Sequence, residues 1–172
     1  MTGRFGAVTS KGRPLTVLGE VVKVGDKAPD FTLTANDWRP VTLSDSAGKV
    51  RLISVVPSLE TGICDAQTRR FNEEASALGD QVVVLTVSAD LPMAQKRWCG
   101  AAGVERVQTL SDHYSMSFGN AYGTHIQETR IEQRSIFVVD ANDTLTYVEY
   151  VPEIGQHPDY EAAIAAVKAA VS

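Results

Sequence analysis

Short apolar blocks alternate with polar turns along this chain, and the apolar spacing shifts from strand-like to mixed strand and helix near residue 50. Arg4–Thr9 and Leu15–Val24 carry β-branched residues on either side of Ser10-Lys11-Gly12-Arg13-Pro14, which is turn chemistry. Residues 1–24 therefore read as an N-terminal β-hairpin. Val24–Leu33 is an extended entry, with short strands expected at Phe31–Thr34 and Val41–Leu43. Val50–Val56 is an apolar run of buried-strand length. The spacing of Ala66, Phe71, Ala75 and Leu78 predicts a helix over Gly62–Leu78, closed by Gly79. Gln81–Ser88 reads as a second buried strand. Pro92–Cys99 reads as a helix capped by Asp90 and ended by Gly100 and Gly103. Val107–Leu110 suits a strand and Ser115–Tyr122 a short helix. Arg134–Val139 and Thr144–Val151 pair around Asp140-Ala141-Asn142-Asp143, and Asp159–Val171 forms a last amphipathic helix. Strands alternating with helices, then a hairpin, give an α/β class with a mixed sheet between helices.

Composition narrows the reading. At 172 residues the chain suits a single domain, 1–172, without repeats or an interdomain linker. A net charge of −5 leaves no basic footprint, which argues against nucleic acid. No window approaches the ~20 apolar residues of a membrane span. Met1–Phe5 lacks the apolar core of a secretory signal, so a cytoplasmic location is expected. His113, His125 and His157 are not spaced from each other or from a cysteine as metal ligands would be, so no metal site is expected. The histidines read as surface or capping groups.

The chemistry concentrates on two thiols, Cys64 and Cys99. Two are too few for a structural disulfide framework. Cys64 falls near the first turn of the predicted helix, where unpaired N–H groups and the helix dipole favour an anion. A thiol held there ionises more readily, and the thiolate is the nucleophile. The sulfur is expected to be partly sheltered and reachable. Taken alone, Cys64 is as well read as a small buried apolar residue, and Cys99 after Trp98 as core filler. Thr61 suits a helix cap, and Arg134, at the start of a strand, a solvated edge residue or a salt-bridge partner. Met93, Phe118 and Tyr122 are packing residues or an apolar rim. Glu60, Asp65, Arg69 and Arg70 read as a solvated, salt-bridged first turn, from which Arg69 could add field near Cys64.

Pro57, Thr61 and Cys64 stand in the spacing Pro-x-x-x-Thr-x-x-Cys. Together with Ser88–Pro92, Arg97-Trp98-Cys99-Gly100, Leu110–His113 and Tyr147–Ile154, this order resembles the thiol peroxidases, the atypical two-cysteine branch of the peroxiredoxins. The similarity runs from about Val17 to Ala170. One departure is Gly62-Ile63, where Pro-Val is common in that family. The resemblance implies a thioredoxin-like fold, with a central mixed sheet flanked by helices and the hairpin as an extension. It also implies a hydroperoxide reductase that needs no cofactor. Cys64 would be the peroxidatic cysteine and Cys99 the resolving one, forming an intramolecular disulfide recycled by thioredoxin. Thr61, Arg134 and Pro57 would complete the site, and a homodimer is expected. Ionisation alone is too small to explain catalysis, because raising the thiolate fraction gains about thirty-fold against a typical ~10⁶ or more. Most of the rate must come from orienting the peroxide and stabilising its leaving oxygen. Two rivals remain at this stage: a non-catalytic thiol redox sensor, and a binding module with inert cysteines.

Overall fold

Alternating side-chain direction along buried strands builds two cores from one sheet. The computed structural model describes residues 1–172 apart from the side chain of Ser76. The hairpin is β1 (Gly3–Ser10) and β2 (Arg13–Leu18). Then come β3 (Thr32–Thr34), β4 (Pro40–Thr42), a 3-10 turn, β5 (Val50–Val55), α1 (Gly62–Leu78), β6 (Val82–Ser88) and α2 (Pro92–Ala102). The chain continues through β7 (Gln108–Ser111), α3 (Ser117–Tyr122), β8 (His125–Ile126), β9 (Ile131–Glu132), β10 (Ser135–Val139), β11 (Leu145–Tyr150) and α4 (Tyr160–Val171).

Seven strands form the main sheet in the order β11-β10-β5-β6-β7-β3-β4. β5, β6 and β7 run parallel, and the flanking pairs are antiparallel. Leu52 on β5 and Ile136 and Val138 on β10 face one core, where Phe71 of α1, Trp98 of α2 and Ile164 and Val167 of α4 cover them. Ile53, Val55, Phe137 and Val139 face the other core, closed by Phe31 and by Phe118 and Tyr122 of α3. All six residues of β5 are buried, including Arg51, whose guanidinium meets Asp143 at 2.8 Å. The expected mixed sheet between helices is therefore present.

Several boundaries differ from the sequence expectation. The second hairpin strand ends at Leu18, not Val24, because Gly19 turns the backbone at φ 92° against Asn120 and Gly123. β8 and β9 were not expected. They are two-residue strands, too short for a periodic signal, and they extend the hairpin into a second sheet, β1-β2-β8-β9. Phe118 and Tyr122 are core residues stacked at 4.1 Å, while Met93 is exposed, so the three form no common rim.

Candidate active site

β5 delivers the chain to the site, and the residues after it turn into α1 so that Cys64 is the third helical residue. Thr61 occupies the N-cap position with extended backbone, φ −103° and ψ 150°, yet its hydroxyl caps nothing. It donates instead to the Ser58 carbonyl at 3.1 Å. Asp65 N–H closes the first helical bond on Thr61 O at 2.9 Å. Among the described residues, the N–H groups of Gly62, Ile63 and Cys64 have no protein acceptor. Three donors and the positive end of the helix dipole thus gather in the first turn.

The loop ahead of α1 is held by Asp90. Its carboxylate accepts from Ser58 Oγ at 2.7 Å, Leu59 N–H at 2.9 Å and Ser88 Oγ at 2.7 Å. Asp90 does not cap α2 as expected; Leu91 stands at that position. Two donors from the loop and one from the end of β6 together outweigh a single cap bond. Pro57 is buried in this loop and adds no N–H to it.

Cys64 itself is 0% exposed, packed with Val56, Leu59 and Trp98. The partly sheltered sulfur expected from sequence is instead fully enclosed, because Trp98 reaches across from α2. Both cysteines are free thiols.

Arg134 lies one residue before β10 and is 1% exposed, so it is not a solvated edge residue. Its Nη1 donates to Gln67 Oε1 at 2.9 Å, and Gln67 Nε2 donates to Ser54 Oγ on β5 at 2.7 Å. Nη2 donates to the Ile154 carbonyl at 2.8 Å. Nε is buried with no acceptor among the described residues. Gln67 follows Cys64 by three positions and so shares its helix face. Burial raises the Tyr160 hydroxyl above its ordinary pKa, and the Arg134 and Arg70 cations partly offset the rise.

α2 runs three residues past its expected end, so Cys99 lies inside the helix and Gly100 is helical. Gly103, in the left-handed region at φ 68°, closes it. The Cys99 carbonyl accepts from Gly103 N–H and, at 3.1 Å, from Val104 N–H. Its sulfur lies 3.5 Å from Thr109 Oγ1, which donates to Asn36 Oδ1 at 3.1 Å. Arg69 ties the two cysteine helices together. It meets Asp65 at 2.9 Å, donates to the Ala102 carbonyl at 3.2 Å and lies 5.7 Å from the Trp98 ring centroid.

The structure thus brings Pro57, Thr61 and Cys64 into one loop and helix start, sets Arg134 behind them through Gln67, and leaves Cys99 on the neighbouring helix. Gln67, the bracing of the loop by Asp90 and the Ile154 carbonyl are supporting features that sequence reasoning missed. Only Gln67 carried a signal, as a polar residue on the apolar side of α1. Among the described residues, no three His, Cys, Asp or Glu side chains gather as a metal would require.

Comparison with known proteins places this arrangement in a family. The redoxin family model matches residues 23–164. Over 165 residues the chain is 66% identical to a thiol peroxidase of Halalkalibacterium halodurans, covering 96% of this chain and 99% of that one. It is 58% identical over 164 residues to a thiol peroxidase of Bacillus subtilis, covering 95% and 98%. A peroxiredoxin-like protein from Aquifex aeolicus superposes with a TM-score of 0.88 at 34% identity, covering 97% of this chain and 99% of that one. A thiol peroxidase from Chromobacterium violaceum shares the fold at a TM-score of 0.84 and 19% identity, covering 94% and 95%. These relatives do not favour the redox-sensor alternative. With such identity over nearly its whole length, the chain belongs to the redoxin family and is a thiol-dependent peroxidase of the peroxiredoxin group.

Proposed function

We propose that Cys64 is the peroxidatic thiol, that Cys99 resolves it, and that thioredoxin returns both to the reduced state. The observation that carries this reading is the buried Arg134, linked through Gln67 to the helix face of Cys64, with the first-turn N–H groups free to donate to an oxygen ligand.

The steps follow from charge and geometry. The Cys64 thiolate attacks the nearer oxygen of a hydroperoxide in line with the O–O bond. That bond breaks, the sulfur becomes a sulfenic acid, and the far oxygen leaves as water or an alcohol after taking a proton. Negative charge grows on the leaving oxygen, and an oriented guanidinium with backbone N–H donors stabilises it. The Thr61 hydroxyl keeps its lone pairs free while it donates to Ser58, so it can accept from a bound peroxide. Pro57 shields the sulfur without a competing donor. Because Cys64 is enclosed, the oxidant enters only when the first turn or Trp98 moves. The apolar wall of Val56, Leu59 and Trp98 suits small alkyl hydroperoxides as well as hydrogen peroxide.

Cys99 then condenses with the sulfenic acid, forming a Cys64–Cys99 disulfide and releasing water. A dithiol reductant exchanges with that disulfide and leaves oxidised. The cycle consumes reducing equivalents, which supports the cytoplasm as its location. Exposed Leu91 and Met93 beside the Asp90-braced loop, with Trp38 and Tyr114, support a homodimer formed around this side of the molecule.

Peroxide added to reduced protein, followed by thiol counting and thioredoxin-coupled reductant consumption, tests the scheme. Cys64→Ser is expected to abolish turnover. Cys99→Ser is expected to keep the first oxidation and lose recycling by thioredoxin. Full activity in Cys64→Ser would overturn the assignment.

A further inference from the structure

We propose that the tip of the N-terminal hairpin is a positioning device for Arg134, acting through Glu153. This rests on the role given above to Arg134.

At the β1–β2 turn, Lys11 and Gly12 both take left-handed backbone, φ 51° and 79°. Successive N–H groups at such a turn can point to one side and make a small anion-binding concavity. The Glu153 carboxylate fills it. Lys11 N–H donates to Oε1 at 2.9 Å and Gly12 N–H to Oε2 at 3.3 Å. The Thr9 hydroxyl donates to Oε2, and Gly155 N–H to Oε1 at 3.4 Å. Donation by Thr9 first, then by the Lys11 N–H, holds the Glu153 pKa down at about 2, so the group is ionised at every working pH.

The backbone beside this contact is paired as well. Thr9 N–H donates to Pro152 O at 2.8 Å and Ile154 N–H to Thr9 O at 2.9 Å, a short parallel bridge. The Ile154 side chain packs against Val8, Leu15, Val17 and Ile126 of the hairpin sheet. Residues 152–156 belong to no strand or helix of their own, so the hairpin supplies most of what places them.

That segment presents the Ile154 carbonyl to Arg134 Nη2. The guanidinium is therefore a fork with two fixed arms. One is held by Gln67 from α1, the other by a carbonyl whose position the hairpin tip sets. The hairpin also reaches the preceding residue, because Gln133 Nε2 donates to Val151 O at 3.0 Å and to Ala7 O at 3.4 Å. Loosening Glu153 frees one arm and lets the planar donor rotate away from its working orientation. A misplacement of about 1 Å at a catalytic group can cost up to about 10²-fold in rate.

The test is single-turnover oxidation of Cys64 by hydrogen peroxide, followed by stopped flow, in Glu153→Gln, Arg134→Gln and the double variant. Glutamine keeps the shape but presents an amide NH₂ to a cluster of donors. Glu153→Gln is expected to lower the second-order rate about ten-fold with native circular dichroism. In the Arg134→Gln background the same change is expected to cost nothing further, because its effect passes through the guanidinium. Thr9→Val removes one donor only and is expected to shift the rate the same way by less; it carries the test if Glu153→Gln unfolds. A wild-type rate in Glu153→Gln, or an undiminished ten-fold loss in the double variant, would overturn this inference alone. A wild-type rate in Arg134→Gln would overturn the reading beneath it as well.

Discussion

Arg134 and Gln67 meet through one hydrogen bond, Nη1 to Oε1 at 2.9 Å, and that bond joins the approach to β10 with the helix that carries Cys64. Gln67 in turn rests on Ser54 of β5, so a buried polar chain spans sheet, helix and guanidinium. Low surrounding polarity makes each member costly to leave unpaired.

Gln67→Leu should therefore act on both stability and rate. It leaves an Arg134 N–H and the Ser54 hydroxyl without partners, at a cost of roughly 1–3 kcal/mol. The rate of Cys64 oxidation is expected to fall about ten-fold as the guanidinium loses one fixed arm. Urea denaturation and stopped-flow oxidation check the two effects separately. Wild-type values in both would remove Gln67 from the site.

Oxidation should unwind helix ends. A disulfide needs Cα atoms within about 7 Å, and here each cysteine is wound into its own helix. Breaking the first turn of α1 and the last turn of α2 frees both, and helix ends open at least cost. Trp98 touches the Cys64 cluster, so its emission is expected to change on disulfide formation in a Trp38→Phe background. Amide exchange should rise at residues 62–66 and 98–103. An oxidised structure with both helices at full length would rule this out.

Arg69 should restrain that opening. Its contacts with Asp65, Ala102 and Trp98 bridge the two segments that must part. Arg69→Ala is expected to cost under about 1 kcal/mol, since the ion pair is half exposed. It should nevertheless speed disulfide formation after peroxide addition. A rate no faster than wild type, measured by quenched thiol labelling, would count against a restraining role.

Glu132 should give the fold a pH-dependent term of unusual sign. Burial raises its pKa well above the ordinary carboxylate value, and the neighbouring Asp112 carboxylate adds to the effect. Thr124 Oγ1 donates to it at 2.5 Å, and a Cβ on Gly119 would fall 2.9 Å from its Oε2. A raised folded pKa means the folded chain keeps a proton that the unfolded chain releases. The contribution is fully present below about pH 4.5, the unfolded value, and is lost as pH rises toward the folded pKa. Glu132→Gln cannot titrate, so its stability profile from pH 5 to pH 8 is expected to be flatter than that of the wild type. Equal slopes in urea denaturation would show that Glu132 does not hold a proton.

Some of this protein was legible in its sequence and some was not. The helix bounds Gly62–Leu78 follow from apolar spacing and a closing glycine, and the structure matches both. The two-residue strands β8 and β9 were invisible because they are too short to have a period. Asp90 misled because Asp before Pro is common cap chemistry, and only the folded structure shows three nearer donors, two in the loop and one on β6. Pro57, Thr61 and Cys64 were named from motif spacing, and Cys99 and Arg134 from the family resemblance, yet nothing local foretold that Arg134 would be buried or that Trp98 would close over Cys64.

By itself, then, the sequence determined most of the longer elements and set Cys64 in the first turn of a helix, because strand and helix periods and cap chemistry act over a few residues. The enclosure of the sulfur, the Ser54–Gln67–Arg134 chain and the hairpin's grip on Glu153 were decided by tertiary structure alone. Each joins residues far apart along the chain, and whether such groups meet depends on how the sheet packs rather than on any local preference.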